Sequence, residues 1–276
     1  MNKYLNIVKK IHNSPYKLTF VSSGGGTNAI SSFLEVPGAS NTILESYIPY
    51  SKESMDKFLN RQPDHYCSLE TCLSMAANAY KKSKEINNVS KSKHLLGVAI
   101  TANLKTTYEK KGEHKFFIVI QAYDYTKYLE CFLKKDTRTR EQEEELITAY
   151  AISLIAQSCD FNFDLPVHNE EVKIKTIKAK KPWKKLFNNK VGFISNNQNK
   201  PELIFPGSFN PLHEGHIKMK ELAEKKTGMH TTFEICANNA DKPPLTFYEF
   251  KKTIEQFQDN ESWMLTSAGR FSEKAE

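Results

Sequence analysis

Residues 206–216 read Pro206-Gly-Ser-Phe-Asn-Pro-Leu-His-Glu-Gly-His216, and this stretch decides how the C-terminal part of the chain is read. The apolar run 202–205 before it predicts a short strand, the Gly, Asn and Pro residues predict a turn, and residues 213–226 predict a helix with His213 and His216 in its first turn. That order aims a helix N-terminus at the loop, where unpaired backbone N–H groups and the positive dipole end favour an anion. Gly207 lets the main chain approach the anion closely, and Ser208 and Phe209 line it with their amides. Two imidazoles three residues apart share a helix face and converge on one phosphoryl group, with Gly215 leaving room between them. Protonated or N–H-donating rings there stabilise charge that develops in the transition state, so no covalent intermediate is required. Glu214 is expected to face solvent or to cap the helix.

Composition bounds the setting. At 276 residues and 39% hydrophobic, the chain can bury two ordinary cores, and 39 Lys plus Arg against 32 Asp plus Glu give a net charge of +7. Much of the excess is local: Lys173, Lys175, Lys178, Lys180, Lys181, Lys184, Lys185 and Lys190 crowd one stretch. With only Trp183 as an aromatic companion, that stretch reads as a solvated linker or edge rather than a nucleic-acid groove. Cys67, Cys72, Cys131, Cys159 and Cys236 form no CxxC pair, so reduced thiols and no metal site are expected. The N-terminus lacks a signal-peptide run, and no later run is long enough to span a bilayer. The expectation is a soluble cytoplasmic protein without membrane or nucleic-acid partners, with homo-oligomerisation left open.

From 16 to 159 the pattern alternates short strand-like and helical runs, which predicts an α/β layer structure. Strands are expected at 17–21, 42–48, 94–101 and 115–123, with one more over 129–134; helices are expected around 30–34, from Ser51 to Leu59, over 68–82 and over 141–159. The expected organisation is a domain over 1–160, a basic linker with edge strands over 161–200, and a second domain over 201–276.

The 206–216 stretch resembles the HxGH nucleotidylyltransferase superfamily, in particular its nicotinamide mononucleotide adenylyltransferase-like branch. The later Phe233-Glu-Ile-Cys-Ala-Asn-Asn-Ala-Asp-Lys-Pro-Pro-Leu245 adds to the likeness. The resemblance covers 201–276 and implies a Rossmann-like doubly wound parallel sheet with ATP, accompanied by Mg²⁺, over the HxGH loop. It implies catalytic roles for His213 and His216 and nucleotide binding at Gly207, Ser208, Phe209, Asn210, Gly215, Asp241 and Lys242. The family's second half carries a Ser/Thr-rich turn that grips the β- and γ-phosphates. The sequence ends before such a turn, so about three of the usual strands, the N-terminal half of the domain, are expected.

Residues 16–158 resemble the C-terminal domain of competence-damage-inducible (CinA-like) proteins, a three-layer α/β/α family that includes nicotinamide mononucleotide deamidases. The cues are Ser22-Ser-Gly-Gly-Gly26, Val36-Pro-Gly-Ala-Ser40, Tyr50-Ser51, the 68–79 helix, Gly97-Val-Ala-Ile-Thr101 and Asp136-Thr-Arg-Thr-Arg140. Amide hydrolysis of this kind needs a hydroxyl nucleophile, a base, N–H donors for the oxyanion and a cation for the phosphate. The resemblance offers Ser22 or Ser23 as nucleophile, Gly25 and Gly26 as donors, Tyr50 as assistant, and Arg138 or Arg140 for phosphate. The family lysine falls at Met55. The plainer reading has the serines capping a glycine turn, Tyr50 packing, and the arginines pairing with acids at 141–145. Three functions stand open: adenylyl transfer from ATP to a mononucleotide of nicotinamide, nicotinate or pantetheine type; mononucleotide deamidation; and silent nucleotide binding.

Overall fold

The computed structural model describes residues 3–87, 92–108, 111–197, 199, 201–238 and 242–267. The chain forms two compact units, Met1–Ile177 and Lys178–Glu276, and both are α/β.

The first unit runs α1 (Leu5–His12), β1 (Lys17–Ser23), α2 (Thr27–Leu34), β2 (Ile43–Tyr47), α3 (Lys52–Leu59), α4 (Leu69–Ile86), β3 (Leu95–Asn103), β4 (His114–Ala122), β5 (Tyr125–Leu133), α5 (Arg140–Ser158) and β6 (Val172–Lys178). The strands form one sheet in the order β2-β1-β3-β4-β5-β6. β1 runs parallel to β2 and β3, and the β3–β4–β5 pairs are antiparallel.

Strand alternation sorts the side chains into two layers. Leu18, Phe20, Val98, Ile100, Ile118 and Ile120 join a core with residues of α1, α2 and α5. The opposite face carries Gly97, on which α4 lies so close that a Cβ would collide with the backbone of Ala76 and Tyr80. Glycine there is a packing requirement of the sheet–helix contact. Caps end the helices as the sequence directs: Ser51 accepts from the Ser54 amide, Ser68 from Thr71, and Thr139 with Gln142 closes a capping box on α5.

The second unit comprises α6 (Lys181–Phe187), β7 (Phe193–Ser195), β8 (Leu203–Pro206), α7 (Glu214–Thr227), β9 (Thr231–Cys236), α8 (Phe247–Ile254) and β10 (Ser262–Thr266). Its sheet order is β7-β10-β9-β8. The three strands β8, β9 and β10 are parallel, and β7, from the segment expected to hold edge strands, adds to β10 in the antiparallel sense. That segment divides between the two units. β6 closes the first sheet, whereas Trp183, Leu186 and Phe187 of α6 are buried with Phe247 and Phe250 of α8, and β7 follows as the edge. The lysines of that stretch leave the buried face of α6 to these apolar side chains.

Candidate functional site

β8 delivers the chain to the 207–213 turn, and α7 begins beyond it with His213 at its N-cap. The turn starts as an extension of the sheet, since the Gly207 N–H donates to the Glu234 carbonyl of β9 at 2.9 Å. It is then held by Gln256, just past α8: Gln256 Oε1 accepts from the Leu212 N–H at 2.8 Å and Nε2 donates to the Phe209 carbonyl at 2.9 Å. Phe209 has a φ of 44° and is 2% exposed, with its ring edge-on to Phe205, Phe233, Phe257 and His216.

These contacts correct one expectation. The space over Gly207 is filled by the Phe209 ring, 2.5 Å from where a Cβ would stand, so its lack of a side chain serves packing rather than the approach of a ligand. Phe209 is a buried core residue, and its carbonyl is already bonded to Gln256.

The imidazoles of His213 and His216 stack, with ring centroids 3.7 Å apart and planes within 23°. His213 is exposed and His216 half-buried beneath it. The His213 backbone N–H donates to His216 Nδ1 at 3.3 Å, which leaves the proton of a neutral His216 ring on Nε2. Burial, and after it the charge of a protonated His213, hold His216 below the ordinary histidine value. Gly215 lies against the His213 ring, where a Cβ would come within 3.1 Å. Glu214 faces solvent and pairs with Lys218 at 2.7 Å. Ser208 and Asn210 are exposed, and Lys242 Nζ lies 3.5 Å from Ser208 Oγ, which brings a cation to the turn. Asp241 falls outside the described residues. Among the described residues, no group of three or more His, Cys, Asp or Glu side chains is placed to hold a metal, and no helix is long and apolar enough to cross a membrane.

In the first unit the residues singled out from sequence are engaged with their own protein. Ser22 is buried and donates to the Gly25 carbonyl at 2.5 Å; Ser23 donates to the Pro49 carbonyl at 3.0 Å. The Gly26 amide, expected as an oxyanion donor, donates to Glu144 Oε2 at 2.7 Å, and Asn28 N–H donates to Glu144 Oε1 at 3.0 Å. A side-chain carboxylate therefore sits at the N-terminus of α2. Arg138, expected to hold a phosphate, forms a two-pronged ion pair with Glu170. Arg140 donates to the carbonyls of Lys105 at 3.0 Å and Gly24 at 3.1 Å, which fastens it to the glycine turn. Among the described residues, neither arginine forms a hydrogen-bonded ion pair with an acid of 141–145. Tyr50 is exposed rather than packed, Met55 is buried, and Lys52 lies over the Tyr66 ring.

Comparison with known proteins bears on the second unit first. Residues 204–270 match the cytidylyltransferase-like family. The match spans β8, the HxGH turn, α7, β9, α8 and β10, so the second unit carries a nucleotidyltransferase-like domain. No curated protein matches the chain. Among solved structures, the chain is similar to the competence/damage inducible protein CihA from Agrobacterium tumefaciens at 14% identity, covering 55% of this chain and 93% of that one with a TM-score of 0.45. It is similar to a CinA superfamily protein from Enterobacter cloacae at 13% identity, covering 55% and 90% with a TM-score of 0.45. A competence damage-inducible protein A from Klebsiella pneumoniae is 12% identical over 56% of this chain and 94% of that one, with a TM-score of 0.44.

Proposed function

We propose that the second unit transfers an adenylyl group from ATP to a nicotinamide mononucleotide-type acceptor, releasing pyrophosphate. The observation that carries this reading is the stacked His213–His216 pair at an exposed helix N-terminus, within a match to the cytidylyltransferase-like family. A phosphate oxygen of the acceptor attacks the α-phosphorus of ATP; the new P–O bond forms as the bond to the bridging oxygen of pyrophosphate breaks. Negative charge grows on the α-phosphoryl oxygens and the leaving group. The His216 Nε2–H, the His213 ring and the Glu214 and Gly215 amides at the start of α7 supply donors to that charge. Lys242, held near Ser208, adds a cation. The Mg²⁺ that accompanies the triphosphate enters with ATP as substrate, and the remaining catalysis is positioning.

The test is pyrophosphate release by the full chain supplied with ATP, Mg²⁺ and nicotinamide mononucleotide. Turnover that falls at least a hundredfold in His216→Ala, about the effect of deleting one transition-state donor, is expected. Absence of turnover in the wild type, or equal turnover in the variant, defeats the reading. Nicotinate mononucleotide and phosphopantetheine in parallel reactions identify the acceptor.

A further inference from the structure

The HxGH turn is clasped by a side chain from outside its own sequence. Gln256 follows α8 and reaches back with both ends of its carboxamide, taking the Leu212 N–H on Oε1 and the Phe209 carbonyl on Nε2. The chemistry fixes the orientation of the amide: a backbone N–H can only donate and a carbonyl can only accept, so oxygen faces Leu212 and nitrogen faces Phe209. Because the carboxamide is planar, the two bonds together set the spacing and tilt of the two backbone groups. Leu212 is the residue before His213, the N-cap of α7, so the Leu212 amide sets where the first imidazole begins. Phe209 packs edge-on against His216 with ring centroids 5.1 Å apart, so the Phe209 main chain sets where the second imidazole rests. The neighbouring Phe257 completes the grip, packing on the rings of both Phe209 and Phe233.

We propose that Gln256 is a positioning residue for the transfer, locking the 207–213 turn so that His213 and His216 hold their stacked geometry when the triphosphate arrives. This rests on the nucleotidyl-transfer reading. The Gln256 carboxamide bonds to backbone groups of the turn, so its effect passes through the Leu212 and Phe209 main chain. Loosening of that kind falls on kcat more than on KM, because near-attack alignment is what is lost.

The experiment uses the full chain labelled with ¹⁵N-histidine, comparing wild type with Gln256→Met, which keeps side-chain length but removes both hydrogen bonds. Gln256→Glu serves as the second variant: it retains the acceptor toward Leu212 and sets an oxygen against the Phe209 carbonyl. Ring resonances of His213 and His216 and the kinetics of pyrophosphate release are read on each. The expected result is displaced resonances for both rings, a roughly tenfold to hundredfold drop in kcat, and KM changed less than threefold, with the far-ultraviolet circular dichroism retained. If Gln256→Met does not fold, the same shifts are expected in Gln256→Glu. Unmoved ring resonances, or a loss confined to KM, in a wild-type protein that turns over overturn the role of Gln256 alone. A wild type that releases no pyrophosphate while the variant's rings still move instead removes the transfer reading, and with it the purpose assigned to the clasp.

Discussion

His213 and His216 lie face to face, and the main-chain N–H of the first is the hydrogen-bond donor to the second. The His216 ring therefore feels both its burial and the charge of its neighbour. His216 is held below the ordinary histidine value first by burial and then by the charge His213 carries when protonated. A depressed folded-state value means that the unfolded chain binds the proton more readily. Stability from this group is therefore present above the ordinary histidine range and lost as pH falls through it toward the lowered value. In an NMR titration, His216 should take up its proton below the histidine norm, and His213→Ala should return it only part of the way, because the larger cause, burial, remains. A His216 titration that is ordinary in the wild type, or unmoved by His213→Ala, contradicts the coupling.

Phe209 links the packing of the second unit to its site. Its ring is closed in by Phe205, His216, Phe233 and Phe257, so Phe209→Ala should cost about 3–5 kcal/mol as a cavity and lost contacts. Gly207→Ala addresses the same spot from the other side, since the new methyl would meet the Phe209 ring. Displacing a packed ring should cost about 1–3 kcal/mol. Chemical denaturation measures both. A Gly207→Ala protein as stable as the wild type would show that the space over the turn is open, as the sequence alone had suggested.

Glu144 occupies the end of α2 that an external anion would otherwise take, bonded to the Gly26 and Asn28 amides. Glu144→Ala leaves those donors without their acceptor and should cost about 1–3 kcal/mol. The vacated helix end should then respond to anions. In thermal melts, added inorganic phosphate should stabilise Glu144→Ala by more than it stabilises the wild type, at matched ionic strength. Equal stabilisation of the two proteins would mean that the carboxylate was not filling an anion site.

How much of this was readable depends on whether the signal was local. The β-branched and aromatic runs of β3 and β4, the Ser51 and Ser68 caps, and the strand–turn–helix around His213 are written in neighbouring residues, and the structure places each element within a few residues of its expected limits. Helix α1 carried a usable pattern in Ile7, Val8 and Ile11, all buried, but is short and begins beside the terminus. What escaped was non-local. Gln256 bonds partners 44 and 47 residues away, Arg138 finds Glu170 at a separation of 32, and Glu144 reaches Gly26 across 118. No periodicity or spacing encodes such pairs, because they arise only when the sheet brings distant segments together. Arg138 and Gly26 thus read as available for a ligand, although the fold had already assigned them partners. Met55 is the opposite case: an apolar residue where a base was sought is informative without any structure, and it lies buried.

The Arg138–Glu170 pair allows the sign of a pH effect to be worked out. Tyr150, His168, Glu170 and Arg138 form one chain of contacts, with the Tyr150 hydroxyl bonded to His168 Nε2, His168 Nδ1 at 2.7 Å from the Glu170 carboxylate, and Arg138 across it. The Arg138 hydrogen bonds, outweighing the burial that opposes them, hold Glu170 below the usual carboxylate range. A depressed carboxyl contributes stability that is complete above the unfolded value and disappears as pH falls through the folded one. Glu170→Gln removes the charge while keeping the shape, and leaves the partly buried Arg138 side chain without its counter-ion. At neutral pH the variant should be less stable by about 2 kcal/mol, the scale of a hydrogen bond to a charged group. Urea midpoints followed down the pH scale should show this deficit constant until the glutamate range and then shrinking, since the wild type is itself becoming protonated there. A deficit that persists undiminished into acid would assign the loss to packing rather than charge, and no deficit at neutral pH would mean that the ion pair merely offsets its own desolvation.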